Sequence, residues 1–173
     1  MACLISNGIA RTCDFAVGGV KGSIWLANEA DISAVAYDAT GQVTGVTMAS
    51  TGATFYEFQP ELQSASFVQA LQTGNVSRFV QQTLAFSVAS LTQAKVETLN
   101  DLSLTTLVAI FEANDGNWYY AGDNGSALKA SALDVTTGVK DADDAIATVT
   151  LMGSNKGYAP TISAAALAAL GIS

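Results

Sequence analysis

One stretch, residues 105–128, most constrains what this chain can fold into. It begins with an apolar run at residues 107–111 (Leu-Val-Ala-Ile-Phe), which are residue types suited to a half-buried strand. Asp115-Gly116 follows, and this pair between two apolar runs favours a tight turn because glycine accepts a positive φ. An aromatic run at residues 118–120 (Trp-Tyr-Tyr) then begins the return. The stretch predicts a β-hairpin, and it carries no catalytic pattern.

The rest of the chain is also predicted to be mainly β, in one domain. Alternating or apolar runs predict further strands at residues 23–27, 32–37, 43–48, 54–58, 127–135 and 146–152. A capping-box pattern at residues 90–93 precedes a helix over residues 91–102, with Val96, Leu99 and Leu102 on one face. An alanine-rich helix follows Ser163 and stops at Gly171. The predicted layout is an arm at 1–22, a β domain at 23–155 and a C-terminal segment at 156–173.

Residues 62–90 predict an unusually long hairpin around residues 73–75 (Thr-Gly-Asn). A helix with glutamine-rich faces is the alternative. A hairpin of that length is expected to extend past its own core, and such edges normally carry lysine or proline. Arg78 is the only charged residue between Gln63 and Gln93, so the edge is expected to be covered by another subunit. The residues expected to make this self-assembly contact are Phe67, Val68, Leu71, Arg78, Phe79, Val80, Leu84 and Phe86.

The N-terminal arm is expected to dock on a neighbouring subunit, because its apolar residues lie outside any predicted strand. Those residues are Leu4, Ile5, Phe15 and Val17. No continuous apolar run is present there, so neither a signal peptide nor a membrane-spanning helix is expected. Cys3 and Cys13 are the only cysteines. We expect free thiols, and a disulfide between them is the alternative.

Composition argues for assembly and against enzymatic chemistry. Charged residues make up only 13% of the 173 residues, and interface cores are depleted in charge. The net charge of −8 disfavours tight nucleic-acid binding. Without histidine there is no Ser-His-Asp arrangement and no zinc site. The acidic loop Asp141, Asp143 and Asp144 lacks an EF-hand pattern, and the pair Glu57 and Glu61 shows no sign of a raised pKa. We therefore expect no enzyme activity, no cofactor and no metal.

The order of these features resembles that of bacteriophage tail-tube structural proteins. The shared order is a helix, an apolar strand, Asp115-Gly116, an aromatic strand, a turn at residues 122–125, a threonine-glycine loop, an aspartate-rich turn and a final alternating strand. The opening Met-Ala-Cys-Leu, together with Cys13 and the Gly-Gly-Val-Lys run at residues 18–21, is similar to tail proteins of that group. The chain departs from the pattern at Asp144, where glycine is expected, and at Asn155, where an acidic residue often stands.

The resemblance implies a β-sandwich or barrel with one packed helix, assembled as stacked and commonly sixfold rings. Long hairpins of neighbouring subunits would join into an inner barrel, and the arms would bridge successive rings. It also implies a virion protein of the tail, made in the host bacterial cytoplasm, with other tail proteins as partners, DNA only as passing cargo and no membrane. One alternative is a collar, ring or connector protein of the same fold. A monomeric carbohydrate-binding β-sandwich using Trp25 and Trp118 is a second, and a hydrolase built on Glu57 or Asp141 is the weakest.

Overall fold

The computed structural model describes residues 18–123, 126–137 and 145–172. Ten strands and two α-helices make up this part of the chain, and a 3-10 turn at Glu29–Asp31 joins the first two strands. In chain order they are β1 Val20–Asn28, β2 Ile32–Tyr37, β3 Val43–Met48, β4 Tyr56–Phe58, β5 Ser66–Thr73, β6 Arg78–Ala89, α1 Gln93–Leu104, β7 Thr106–Ala113, β8 Trp118–Ala121, β9 Leu128–Thr136, β10 Ile146–Asn155 and α2 Ala164–Leu170.

Eight of the strands form one large antiparallel sheet. Its order is β4-β1-β7-β9-β10-β6-β5, and β8 pairs with β7 next to β9. Strands β2 and β3 form a separate hairpin. The large sheet is open, because its end strands β4 and β5 do not pair with each other in the described residues. The mainly-β prediction is confirmed, and the sheet does not close into a barrel within the subunit.

Strand β7 is the centre of the molecule. Along its length Leu107, Ala109 and Phe111 point into one core, while Val108 and Ile110 point into the other. All five side chains are at most 3% exposed. One edge of β7 pairs with β1, and the other pairs with β8 and the start of β9. The hairpin predicted within residues 105–128 is confirmed, since β7 pairs with β8, and Gly116 lies in its turn at φ 84°.

The two cores lie on opposite faces of β7. The first is filled by β1, β6, β7, β10 and the buried Leu99 and Leu102 of α1. The second lies under the β2–β3 hairpin and α2. Residues 160–162 connect the hairpin to the large sheet, since Ile162 N donates to Trp118 O at 3.0 Å and Val43 N donates to Thr161 O at 2.9 Å.

The β2–β3 hairpin departs from the predicted alternation. Regular alternation along residues 32–37 predicts Ile32, Ala34 and Ala36 on one face and Ser33, Val35 and Tyr37 on the other. The observed register shifts between Ile32 and Ala34, and a bulge of this kind turns the following side chain over. As a result Ile32 and Val35 both pack against the second core.

The helix prediction is confirmed in kind and corrected in detail. Helix α1 is capped by Thr92, whose hydroxyl accepts a hydrogen bond from Lys95 N at 3.4 Å, and not by the predicted capping box beginning at Ser90. Val96 lies partly in solvent at 37% exposure, unlike the predicted face. Helix α2 has the predicted ends, since Ser163 Oγ accepts from Ala166 N at 3.3 Å and Gly171 ends it at φ 72°.

Several sequence predictions lie outside the described residues. These are the arm residues Leu4, Ile5, Phe15 and Val17, the cysteines Cys3 and Cys13, and the acidic loop with Asp141, Asp143 and Asp144. Strand β1 begins at Val20, inside the range predicted as an arm.

Candidate self-association surface

The long hairpin exists and consists of β5 and β6. Their residues pair antiparallel from Ser66 with Ala85 to Thr73 with Arg78. At the turn, Gly74 N donates to Ser77 O at 2.8 Å. This pairing confirms the hairpin and excludes the helix alternative. Strand β6 pairs with β10 on its other side, whereas β5 has a partner on one side only.

Half of the predicted contact residues belong to the subunit's own core. Val80, Leu84 and Phe86 are 3%, 0% and 1% exposed. Phe67 packs beside them, with its ring centroid 4.7 Å from that of Phe111. Val80, Leu84 and Phe86 therefore have no surface to present to a neighbour, and Phe67 is half-buried. The expectation that the hairpin extends past its core is therefore wrong for β6, because α1, β1 and β7 pack over its inner face.

The other half of the set lies at the surface. Val68 and Leu71 of β5 are 57% and 50% exposed. Arg78 is exposed and Phe79 is half-buried, both at the start of β6. Val76, in the turn between the strands, is fully exposed. Val76 was not among the predicted contact residues, although an apolar residue inside a polar turn is visible in the sequence. Val68 lies on the outer face, opposite Thr83, and Leu71 lies on the inner face, opposite Val80. The exposed apolar side chains of β5 are therefore on both faces at the edge of the sheet.

The outer edge of β5 has none of the features that protect sheet edges. Its sequence, Ser66–Thr73, contains no charged residue and no proline. An unprotected edge presents unpaired N–H and C=O groups that another strand can pair with. Among the described strands, only β6 pairs with β5. This edge is therefore able to accept a strand from another chain.

A second open edge lies on the same part of the sheet, along β9. Strand β7 pairs with β9 only at Leu128 and Lys129, and β10 lines the other side of β9 as far as Thr136. Residues 130–135 consequently have no partner strand on the side away from β10 in the described structure. The four strands β5, β6, β10 and β9, which we call the four-strand unit, thus have no partner strand along the outer edge of β5 or along most of the outer edge of β9 in the described residues. We call these the two open edges, although α1 packs against β9.

The outer face of the four-strand unit is almost uncharged. On β6 the outward side chains are Gln81, Thr83, Ala85 and Ser87. On β10 they are Thr148, Thr150 and Met152, and the two strands are linked across this face by the hydroxyls of Ser87 and Thr148 at 3.3 Å. Neither strand carries a charged residue within these spans. The charged side chains on this face are Lys129 and Asp134 of β9, which pair with the outward Met152 and Thr148. The face can interact through hydrogen bonds and van der Waals contacts, and through one charge of each sign.

The described residues that were named for the alternative functions are Trp25, Trp118 and Glu57, whereas Asp141 lies outside the described ranges. Trp25 and Trp118 are half-buried against the second core, and Tyr120 is 1% exposed. They form no open aromatic platform for a sugar. Hydrogen bonds from Ser23 and Gln59 hold the pKa of the Glu57 carboxyl below its ordinary value, whereas a glycosidase acid needs a raised pKa.

Metal and membrane features are likewise absent from the described ranges. No group of three or more histidine, cysteine, aspartate or glutamate side chains is placed there to hold a metal ion. No helix in the same ranges is long and apolar enough to cross a membrane.

Neither models of known protein families nor curated protein sequences give a match to this chain. The function is therefore inferred from the residues and contacts described above.

Proposed function

We propose that this protein is a virion structural protein that assembles into stacked rings and forms the tube of a bacteriophage tail. The observation that carries the proposal is the four-strand unit, which combines two open edges with an outer face of no net charge. The resemblance to tail-tube proteins supplies the virion setting, the partner tail proteins and the sixfold ring. The open edges supply a means of assembly that does not depend on the resemblance.

The ring would form by pairing the β5 edge of one subunit with the β9 edge of the next. The two edges differ in sequence, so the contact is heterologous, and such contacts close into rings when the rotation between subunits allows it. Each subunit would contribute the four-strand unit to one continuous barrel. Closure in this way also removes both exposed edges, which is the general advantage of a barrel.

The lining of the channel follows from which face of the four-strand unit is already occupied. Its inner face packs on the first core, so only the outer face is free to line the channel. That face carries no net charge, with one lysine and one aspartate, both on β9. Because phosphate binding needs lysine and arginine to release counterions, DNA would pass along a neutral polar lining without being held.

Light scattering and negative-stain microscopy of the purified full chain test the proposal. We expect rings, and tubes of stacked rings as the protein concentration rises. Single rings that never stack would favour a collar or connector protein of the same fold. Monomers at every concentration would contradict self-assembly and favour the monomeric binding module.

A further inference from the structure

Strand β2 has an unpaired edge in the hairpin that lies outside the large sheet. It pairs with β3 on one side, and no described strand pairs with its other side. Its sequence, Ile32–Tyr37, contains neither a proline nor a charged residue, which are the residues that commonly protect such an edge. The bulge in β2 is at Ser33, and the other extra residue of the hairpin, Thr44, is in β3. Residues 34–37 therefore form a regular edge that an extended segment can pair with.

An aspartate stands at each end of this edge. Asp31 precedes β2, and its carbonyl accepts a hydrogen bond from Ala49 N at 2.8 Å. Asp38 follows β2, and its backbone N donates to Gln42 O at 3.0 Å. The two aspartates are seven residues apart, at most roughly 23 Å at about 3.3 Å per residue. Neither carboxylate has a cationic partner among the described residues, where the one ion pair joins β1 to β7.

The charge of the β2–β3 hairpin is entirely negative. No lysine or arginine occurs between Lys21 and Arg78, a range that includes the whole hairpin. The Asp38 carboxylate accepts hydrogen bonds from Thr40 Oγ1 at 2.6 Å and from Gln42 N at 2.9 Å. These hydrogen bonds lower the pKa of Asp38, so its charge persists well below neutral pH. A partner of this edge would therefore be favoured by basic residues at its ends.

The side chains of β2 specify what the middle of such a partner should contain. Ile32 and Val35 pack against the second core and are only half-buried, so an apolar side chain next to Val35 would extend that core. Ala34 and Ala36 are exposed and alternate with Val35, which places them on the other face. Because alanine is short, β-branched or aromatic side chains fit beside them as cross-strand neighbours.

We propose that the unpaired edge of β2 binds an extended segment of a different protein, with an apolar centre and a lysine or arginine at each end. Main-chain hydrogen bonds would supply affinity, and the two end charges would fix the register. This chain contains no such segment, since its basic residues are at positions 11, 21, 78, 95, 129, 140 and 156, and no two are closer than ten residues. The inference goes beyond the proposed function, because β2 is not part of the four-strand unit.

A synthetic peptide tests this edge in the full chain. The peptide is Lys-Thr-Val-Thr-Val-Thr-Val-Lys with both termini blocked, so that its two lysines have the spacing of the two aspartates and carry its only charges. Fluorescence anisotropy of the labelled peptide gives its Kd, and hydrogen exchange with mass spectrometry locates it. We expect slower exchange within residues 32–37 and an affinity that decreases as salt is added. The same peptide with glutamate at both ends should not slow exchange there.

Asp31→Asn combined with Asp38→Asn removes both charges and keeps an acceptor oxygen at each position. We expect this double variant to raise the Kd about three- to tenfold, the effect of two exposed ion pairs. Glu57→Gln is the matched control, because Glu57 is exposed on β4 of the large sheet, and it should bind the peptide as the wild type does.

Four outcomes would each overturn the proposal. They are an unchanged Kd for the double variant, slower exchange confined to residues 66–73 of β5, no slowing of exchange at all, and release of the peptide when rings form, which would assign the edge to a second copy. Microscopy of the same samples separates the two proposals. Rings that do not bind the peptide contradict only the β2 site, whereas peptide binding by a protein that never forms rings contradicts only the proposed function.

Discussion

At the scale of single residues, Gln82 shows how one polar side chain can be required inside an apolar face. It interrupts the even-numbered apolar positions of β6, yet it is 1% exposed. Its side-chain oxygen accepts a hydrogen bond from Gly122 N at 3.2 Å. Gly122 has φ 85°, and a Cβ there would lie 2.8 Å from Leu107 O. The backbone passes so close to β7 that this N–H is buried, and Gln82 supplies its acceptor.

We predict that Gln82→Leu lowers the free energy of unfolding by about 1–3 kcal/mol, the usual penalty for leaving a buried donor unsatisfied. Urea unfolding followed by circular dichroism measures this loss of stability. It should appear as a lower urea concentration at the midpoint, with an unchanged slope. Gln81→Leu is the control, because Gln81 lies half-buried on the outer face of the same strand, and its effect should stay within about 0.5 kcal/mol. Equal midpoints for the two variants would contradict the role of Gln82.

The turn at Asp115 should make part of the stability depend on pH. Asn117 N donates to the Asp115 carboxylate at 2.9 Å, and hydrogen bonds from Asn117 are the main cause of the lowered pKa of Asp115. Since the folded pKa lies below the unfolded value of about 3.9, the stabilisation is present above about pH 4 and is lost as the pH falls through the folded pKa.

We therefore predict that Asp115→Asn loses less stability than the wild type between about pH 7 and about pH 3. The asparagine oxygen still accepts a hydrogen bond in the turn, but it does not titrate. Urea midpoints of both proteins at the two pH values measure the difference. Parallel losses would show that the Asp115 carboxylate does not contribute to acid sensitivity.

At the scale of elements, the two strands of the long hairpin, β5 and β6, differ in pairing and in burial. Strand β6 pairs on both edges and contributes Val80, Leu84 and Phe86 to the core. Strand β5 pairs on one edge and keeps Val68 and Leu71 at the surface. Of the two hairpin strands, β5 is therefore the one whose edge can pair with another subunit, and substitutions in the even positions of β6 would test folding rather than assembly.

We predict that Val68→Lys combined with Leu71→Lys prevents ring formation and leaves a folded monomer. A lysine on an edge strand is a common protection against strand addition, and both side chains are at least half exposed, so the core is not disturbed. Light scattering gives the mass and circular dichroism verifies the fold. Leu104→Lys, at an apolar residue 86% exposed at the end of α1, is the control and should still form rings. Rings at unchanged yield from the double variant would remove β5 from the interface.

At the scale of the whole molecule, charged residues are few and the net charge is negative. The chain has 15 acidic and 7 basic residues, and the outer face of β6 and β10 has neither. Copies brought together in a ring repel one another through their net charge, and salt screens that repulsion beyond a Debye length of about 10 Å at about 0.1 M. The open edges must supply enough pairing energy to overcome it.

We predict that the protein does not retain DNA in a gel-shift assay at about 50 mM salt, where non-specific binding is strong. Added salt should favour ring formation, measured as a rise in scattered light at constant protein concentration. A known DNA-binding protein of similar size serves as the positive control. Retention of DNA that weakens with salt would contradict the neutral channel and indicate a basic surface assembled from distant residues.

Much of this fold was predictable because turns and strand periods are local properties of the chain. The Asp115-Gly116 turn, the β5–β6 hairpin and the ends of α2 depend on residues within a few positions of one another. Val68 and Leu71 of the candidate site came from the same local pattern. Each of these features follows from φ preferences, side-chain alternation and capping groups that neighbouring residues specify.

Tertiary structure decided which of two equivalent faces became the core. The alternation of β6 looks the same whether its apolar face meets its own subunit or a neighbour, and only the packing of α1, β1 and β7 assigns it to the subunit. The bulge after Ile32, the burial of Gln82 and the open edge of β9 likewise depend on elements distant in sequence. Burial is set by what packs against a residue from elsewhere in the chain, and no local pattern contains that information.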